Sequence, residues 1–385
     1  MMAQKFCQKE IRAGAIAITA LLFAVCTTVG SSQDNKPSDN GPGITYMHDE
    51  VADVPWSIHV VKISRHRKDF RLETTLGRGK HLGMSLLSDQ VKSVPGQPGR
   101  ALAAVNGDFY KSENNYAGDP EGLQIAAGEL VSAPSSTRSC FWIDAEGQPR
   151  HTNVLSGFKA RLADNTLIPF GLNESRSSDE AVLYTAANGT STRTSGGIEL
   201  VLAQGSGTNW LPLRAGEIYT ATVREVRRDG NSPLTRDTMV FSVGSKAADR
   251  VASLKAGDTI TLSTGTIPDV KGSPVAIGGG PALVRGGKAV SFGGLQPRHP
   301  RVAMGWNKSH YFLVEVDGRQ KISAGMTFPE LAAYMVKIGC DEAINLDGGG
   351  SATIWVYGSV MNSPSEGRER PAANGLVVVR NNDAD

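Results

Sequence analysis

The sequence has almost no excess charge. Forty basic residues face thirty-eight acidic ones across 385 residues, a formal net charge of +2. Such a balance provides no global field for nucleic acid, so any anion recognition must be local. Cysteine is scarce: four residues, Cys7, Cys26, Cys140 and Cys340, and no Cys/His spacing resembles a zinc site. No repeat of fixed period is visible. Beyond the N-terminus no hydrophobic run approaches the roughly 20 residues of a membrane helix. Charged residues at 20% and hydrophobic ones at 40% are the composition of an ordinary globular protein.

The N-terminus follows a different logic. Lys5, Lys9 and Arg12 precede an apolar run from Ala13 to Cys26, and small or polar residues continue through Ser32. That order describes a secretory signal over residues 1–30, with cleavage near Gly30. A buried N-terminal helix and lipid attachment at Cys26 are the alternatives; Phe23-Ala24-Val25 before that cysteine is a poor lipoprotein pattern. Residues 31–45, containing the run SSQDNKPSDNGPG, read as a disordered tether. The expectation is an exported chain, periplasmic or secreted, with no transmembrane segment once mature. Cys140 and Cys340 then remain, either as a disulfide in an oxidising compartment or as two buried thiols.

Strand signals dominate the rest of the chain. Ile58–Ile63, Phe70–Leu76, Phe141–Ile143, Ile198–Ala203, Tyr219–Val226, Met239–Val243, Val302–Gly305, Tyr311–Val316 and Ala343–Leu346 are short, apolar or alternating. Ala101–Val105 is continuously apolar, the pattern of a strand buried on both faces. Residues 84–93 have helix-like spacing before Pro95. Thr327-Phe328-Pro329-Glu330 opens a second helix with a capping box, and Gly339 ends it. The reading is α+β, strand-rich mixed sheets with a few helices, in one compact domain over 46–385. The portion 155–270, with few clustered motifs, is scaffold or an insertion framing a cleft.

Glycine is abundant, at 44 residues, and clustered. In Asn345-Leu346-Asp347-Gly348-Gly349-Gly350-Ser351, three glycines remove every Cβ from a turn at a strand end. Their backbone N–H groups can form an anion nest, bracketed by Asn345, Asp347 and Ser351; a self-capped tight turn is the plainer reading. Gly278-Gly279-Gly280 is a second backbone wall or a β-bulge. Neither cluster fits a phosphate loop or a dinucleotide fingerprint. Arg298-His299-Pro300-Arg301 offers two guanidinium forks for a phosphoryl group, or else a solvated basic turn. Asp317-Gly318-Arg319 and Asn106-Gly107-Asp108 lie at strand exits, where reactive groups often sit. Residues 362–370 form a polar loop, either a wall of the site or a solvated connection.

Taken together, NGDFY, GGGPALVRGG, HPRVAMGW, VDGR, GMTFPELA, GCDEAINLDGGGS and NSPSEGRERPAANGLVV resemble the phosphodiester glycosidase family. The resemblance is dense over 275–379, includes 101–110, and is weak over 150–270. It implies hydrolysis of the C1–O bond of a sugar-1-phosphodiester, with release of sugar and a phosphomonoester. On that basis Asp347 is the leading catalytic carboxylate, with Asp108, Asp317 and Glu369 as candidate partners. Arg298, Arg301 and Gly348, Gly349 and Gly350 would hold the phosphoryl group, with Gly279 and Gly280 opposite. Asn106, Asn345, Ser351 and Asn362 would orient hydroxyls or phosphate. Family members often have glycine where this chain has Asp108. No cofactor is assigned; a carboxylate cluster is compatible with Ca²⁺, but no loop has a recognised calcium spacing. The other class of function is a non-catalytic envelope protein that binds anionic glycans.

Overall fold

Alternation of side chains across each strand sends one set of residues to each face, and here most faces are covered. The computed structural model describes residues 43–381 apart from 52, 95–98, 113 and 208. Its central sheet has seven strands in the order Ile44–Val51, Trp56–Ser64, His310–Val316, Arg301–Trp306, Glu342–Leu346, Ala282–Arg285 and Lys288–Ala289. Every neighbouring pair is antiparallel. One face presents Val61, Ile63, Val302, Met304, Leu313 and Leu346 to a buried core. The other presents Ile58, Val60, Ala303 and Val314 to the helix Phe328–Lys337, through Leu331 and Met335.

That helix starts where the sequence predicts. Thr327 accepts from the Glu330 N–H, and the Glu330 carboxylate accepts from the Thr327 N–H at 2.9 Å. Gly339 follows the last turn with φ +94°, a conformation that suits glycine.

A second, five-stranded antiparallel sheet packs on the inner core. Its order is Ser359–Val360, Ile354–Val356, Gly99–Asn106, Gly375–Asn381, Phe70–Thr74. Gly99–Asn106 is buried on both faces, as its apolar run requires: Leu102 and Val105 join the inner core, and Ala104 packs with Leu87 and Val91. A third sheet, containing Gln124–Ala126, Ser139–Ile143 and Val275–Gly278, joins two cores. Phe141 and Ile277 point into the core shared with the central sheet. Cys140, Trp142 and Ala276 point into the core of an eight-stranded sheet built largely from residues 159–263. The weakly patterned portion 155–270 is therefore mainly a sheet with its own apolar interior.

The strand-rich α+β class agrees with the sequence reading; the α-helices among the described residues are Leu87–Gln90 and Phe328–Lys337. Two expectations change. The sequence reading extends the tether to residue 45, but a strand begins at Ile44 and pairs Ile44 with Ile63 and Tyr46 with Val61. Its outward residues are polar or exposed, which hid the alternation. Cys140 and Cys340 are free and buried in separate cores, so the disulfide alternative falls. The leader over 1–30 and most of the tether lie outside the described residues. Thr327→Ala should lower the unfolding free energy by about 1 kcal/mol, as loss of an N-cap usually does. Urea denaturation followed by far-UV circular dichroism measures this directly.

Candidate active site

Asp347 follows the central-sheet strand Glu342–Leu346 and is tied to the neighbouring sheet at once. Its N–H donates to Gly107 O at 2.8 Å, and Asn106 Nδ2 donates to Asp347 O at 2.8 Å. Asn106 Oδ1 in turn accepts from the Thr353 N–H at 2.9 Å. The exit of the buried strand Gly99–Asn106 and the start of the glycine turn are thus one hydrogen-bonded unit. A Cβ on Gly107 would stand 2.3 Å from Asn374 Oδ1, so only glycine permits this approach.

The Asp347 carboxyl lies in a cleft of ≈ 370 Å³ whose lining includes Phe109, Tyr110, Glu121, Arg370 and Pro371. Arg370 Nη2 donates to Ser351 Oγ at 2.7 Å, and Ser351 hydrogen-bonds toward the Asp347 carboxyl. Tyr110 OH is 3.4 Å from Ser351 Oγ and donates to Pro371 O at 2.8 Å. Arg370 also pairs with Glu366 at 3.3 Å, yet its Nε is buried without a hydrogen-bond partner. Glu121 pairs with Arg138 at 2.6 Å, and the Arg138 guanidinium sits 4.3 Å over the Phe109 ring. Burial pushes the Asp347 carboxyl above its ordinary pKa. The Ser351 hydrogen bond, the Arg370 charge and the Gly348 N–H pull the other way, and Glu121 adds a little to the rise.

Of the other expected site residues, Ser351 and Asn106 meet Asp347, but several do not. Asp108 is sealed beneath the cleft. Its Oδ1 accepts from the Phe109 N–H and its Oδ2 from the Gly122 N–H, each at 2.8 Å. It therefore positions the neighbours of Tyr110 and Glu121 rather than facing the cleft. Asp317 lies on a second cleft of ≈ 610 Å³, together with Asn362; the two clefts share no lining residue. Glu369 accepts from the Ser88 N–H at 2.9 Å and the Ser88 hydroxyl at 2.7 Å, so its carboxylate is used on a short helix.

The arginine clamp is also corrected. Arg298 is exposed and paired with Glu330, whereas Arg301 is buried, donates to the Met326 and Pro297 carbonyls and stacks 4.0 Å over Phe328. Gly279 and Gly280 form no wall: their N–H groups donate to Ser139 O and Asn345 O. Asn345 is buried and donates to the Gly280 and Leu346 carbonyls. In the turn itself the Gly349 N–H is taken by Pro300 O and the Gly348 N–H leans on Asp347. An open three-amide nest is not what forms. Arginines flank the turn instead, Arg319 beside Gly349 and Arg370 beside Gly350. Glu121, Tyr110 and Arg370 were missed as site residues, although Tyr110 and Arg370 lie inside the NGDFY and NSPSEGRERPAANGLVV motifs.

Comparison with known proteins now bears on this site. Residues 214–379 match the phosphodiester glycosidase family. The resemblance carried by the motifs holds over that segment, which includes Asp347, Ser351 and Arg370. An 89-residue stretch is 34% identical to the SPbeta prophage-derived uncharacterized protein YomE of Bacillus subtilis, covering 23% of this chain and 14% of that protein. A hypothetical protein from Synechocystis superposes with TM-score 0.69 at 19% identity, over 88% of this chain and 62% of the other. A structure described as that of an exported protein from Burkholderia pseudomallei gives TM-score 0.63 at 22% identity, over 84% and 74%. These two establish a shared fold. The chain thus spans less than two thirds of the Synechocystis chain and a small part of YomE.

Asp108 yields a test of the buried frame under this cleft. Burial raises its carboxyl from an ordinary 3.8 to about 7. Between those values the folded chain holds a proton that the unfolded chain has lost. Its stabilising contribution is complete below pH ~4 and is lost as pH rises through ~7. The urea midpoint of the wild type should therefore decline relative to that of Asp108→Asn as pH is raised from 4 to 8. Parallel pH profiles would argue against a sealed, proton-binding Asp108.

Proposed function

We propose that this chain is an exported glycosidase that hydrolyses the C1–O bond of a sugar-1-phosphodiester to give free sugar and a phosphomonoester. The observation that carries the reading is the meeting of Asp347, Ser351, Arg370 and Tyr110 in one cleft that Glu121 also lines. The family match over residues 214–379 supports the same class of chemistry. The leader-like residues 1–30 and a structural neighbour described as exported support the location. Among the described residues no helix is long and apolar enough to cross a membrane.

The residues divide the work by charge. Arg370, which lines the cleft, faces the phosphoryl oxygens with its guanidinium. Arg319, beside Gly349, adds a second positive charge. Water attacks C1 and gives a proton to Asp347, which burial makes a stronger base than an ordinary aspartate. The C1–O electron pair departs with the phosphomonoester, a leaving group that needs little protonation. Glu121 lies near enough to stabilise the oxocarbenium-like charge that develops at C1. Tyr110 and Ser351 hold the sugar hydroxyls and the Arg370 guanidinium in register.

A panel of chromogenic sugar-1-phosphodiesters tests this reading. Wild type should release sugar and phosphomonoester. Asp347→Asn should lower kcat/KM by about 10³-fold, within the range for loss of a general base, while unfolding as cooperatively as wild type. Arg370→Ala should lower kcat/KM by about 10²-fold, the scale for loss of one charge-stabilising donor. Full activity in Asp347→Asn would remove it from the mechanism. Saturable binding by the wild type with no product would indicate the glycan-binding alternative.

A further inference from the structure

Glu315 is a buried acid that the proposed glycosidase does not use. It is fully buried, and neither carboxylate oxygen receives a hydrogen bond. The Asn362 amide is close enough to favour its charged form but makes no bond of hydrogen-bonding geometry to it; one Nδ2 N–H goes to Ala352 O, and Oδ1 accepts from the Ile354 N–H. An unpartnered carboxylate in a sealed position is costly unless it is protonated or shares a cation.

Strand register shows what surrounds it. His48 pairs with His59, His59 with Glu315, and Glu315 with Val302, a row across four strands on one face. Two residues along the same faces stand Ser57 and Asp317. His59, Glu315 and Asp317 each offer a donor atom, and all three atoms lie within 4.8 Å of one another. His59 Nε2 is 3.2 Å from Asp317 Oδ2. His59 and Asp317 are 2% exposed and line the ≈ 610 Å³ cleft, so the cluster is buried yet reached from one side.

We propose that His59 Nε2, Asp317 Oδ2 and one Glu315 oxygen bind a zinc-type first-row divalent cation, with an open position toward that cleft. Two ligands each about 2 Å from one ion stand at most about 4 Å apart, so closing the set takes shifts of under about 1 Å. The neighbours already orient the donors. Tyr46 OH is 2.8 Å from His59 Nδ1, which frees Nε2 when Nδ1 carries the proton. The Ser363 N–H donates to Asp317 Oδ1 at 2.8 Å, while Oδ2 accepts from Ser57 Oγ at 2.9 Å and turns its remaining lone pair toward His59 Nε2 and the ion. One imidazole with two carboxylates suits zinc-type ions, whereas Ca²⁺ takes six to eight oxygens. The cation neutralises two adjacent buried carboxylates that otherwise repel.

The site is independent of the glycosidase cleft, so its test needs no activity. Tag-free protein is stripped with EDTA and titrated with Zn²⁺ against a chromophoric chelator, then with Co²⁺ while visible absorbance is read. Wild type should bind one equivalent, unfold at a higher temperature when loaded, and give Co²⁺ bands of nitrogen–oxygen ligation. Glu315→Gln and His59→Gln should each weaken binding at least about 10-fold, with the bands altered in His59→Gln. Asp317→Asn replaces either variant that fails to unfold cooperatively. Absence of saturable binding to the wild type would overturn the site. So would equal affinity in wild type and variants, or stabilisation by Glu315→Gln with no response of the wild type to metal.

Discussion

The cross-link between Asp347 and the Asn106-Gly107 pair is the constraint on which the rest of the structure turns. Two hydrogen bonds of 2.8 Å join a strand exit of the central sheet to a strand exit of the sheet packed against it. Asn106 and Gly107 are buried, so leaving their polar groups unpaired would carry the penalty of a buried unsatisfied group. Asn374 extends the same frame. Its carbonyl accepts from Gly107 N–H, its Oδ1 accepts from Asp108 N–H, and its Nδ2 donates to Gln124. A cleft built on such a frame inherits its rigidity, because the functional side chains hang from backbone that has no alternative partners.

The buried and half-buried acids around this frame are chemically alike and behave differently. Asp347 opens to the cleft and has Ser351 and Arg370 beside it. Asp108 has two N–H donors and no cation in contact, and burial takes it up to about 7. Glu315 has neither, and its carboxyl is driven well above the ordinary carboxylate range. Desolvation acts on all three in the same direction; the donors and charges within reach set the difference. Residue type alone therefore could not rank them as catalytic, positioning or cation-binding groups.

Much of the architecture was legible in the sequence. Short apolar strands such as Met239–Val243 and the apolar run ending at Asn106 came out close to their observed limits. The Thr327 capping box was readable because it is local, four residues whose donors and acceptors satisfy one another. The strand Ile44–Val51 was not, since its exposed residues masked its inward ones. In the glycine clusters the sequence marked close backbone approach without naming the approaching group. At Gly278 that group is Asp108, whose Oδ2 would stand 2.1 Å from an added Cβ.

By itself the sequence determined the strand-rich α+β class, the helix that covers the central sheet and the importance of the turn after Leu346. These are properties of periodicity, capping and glycine placement, all written within a few neighbouring residues. Only the tertiary structure decided which charges gather at that turn: Arg319, Arg370 and Glu121 rather than the Arg301 and Asp317 side chains. It also gathered His59 with Glu315 and Asp317 across more than 250 residues of chain. Such pairings depend on strand register and on how sheets pack, where a shift of one residue would turn every side chain to the opposite face.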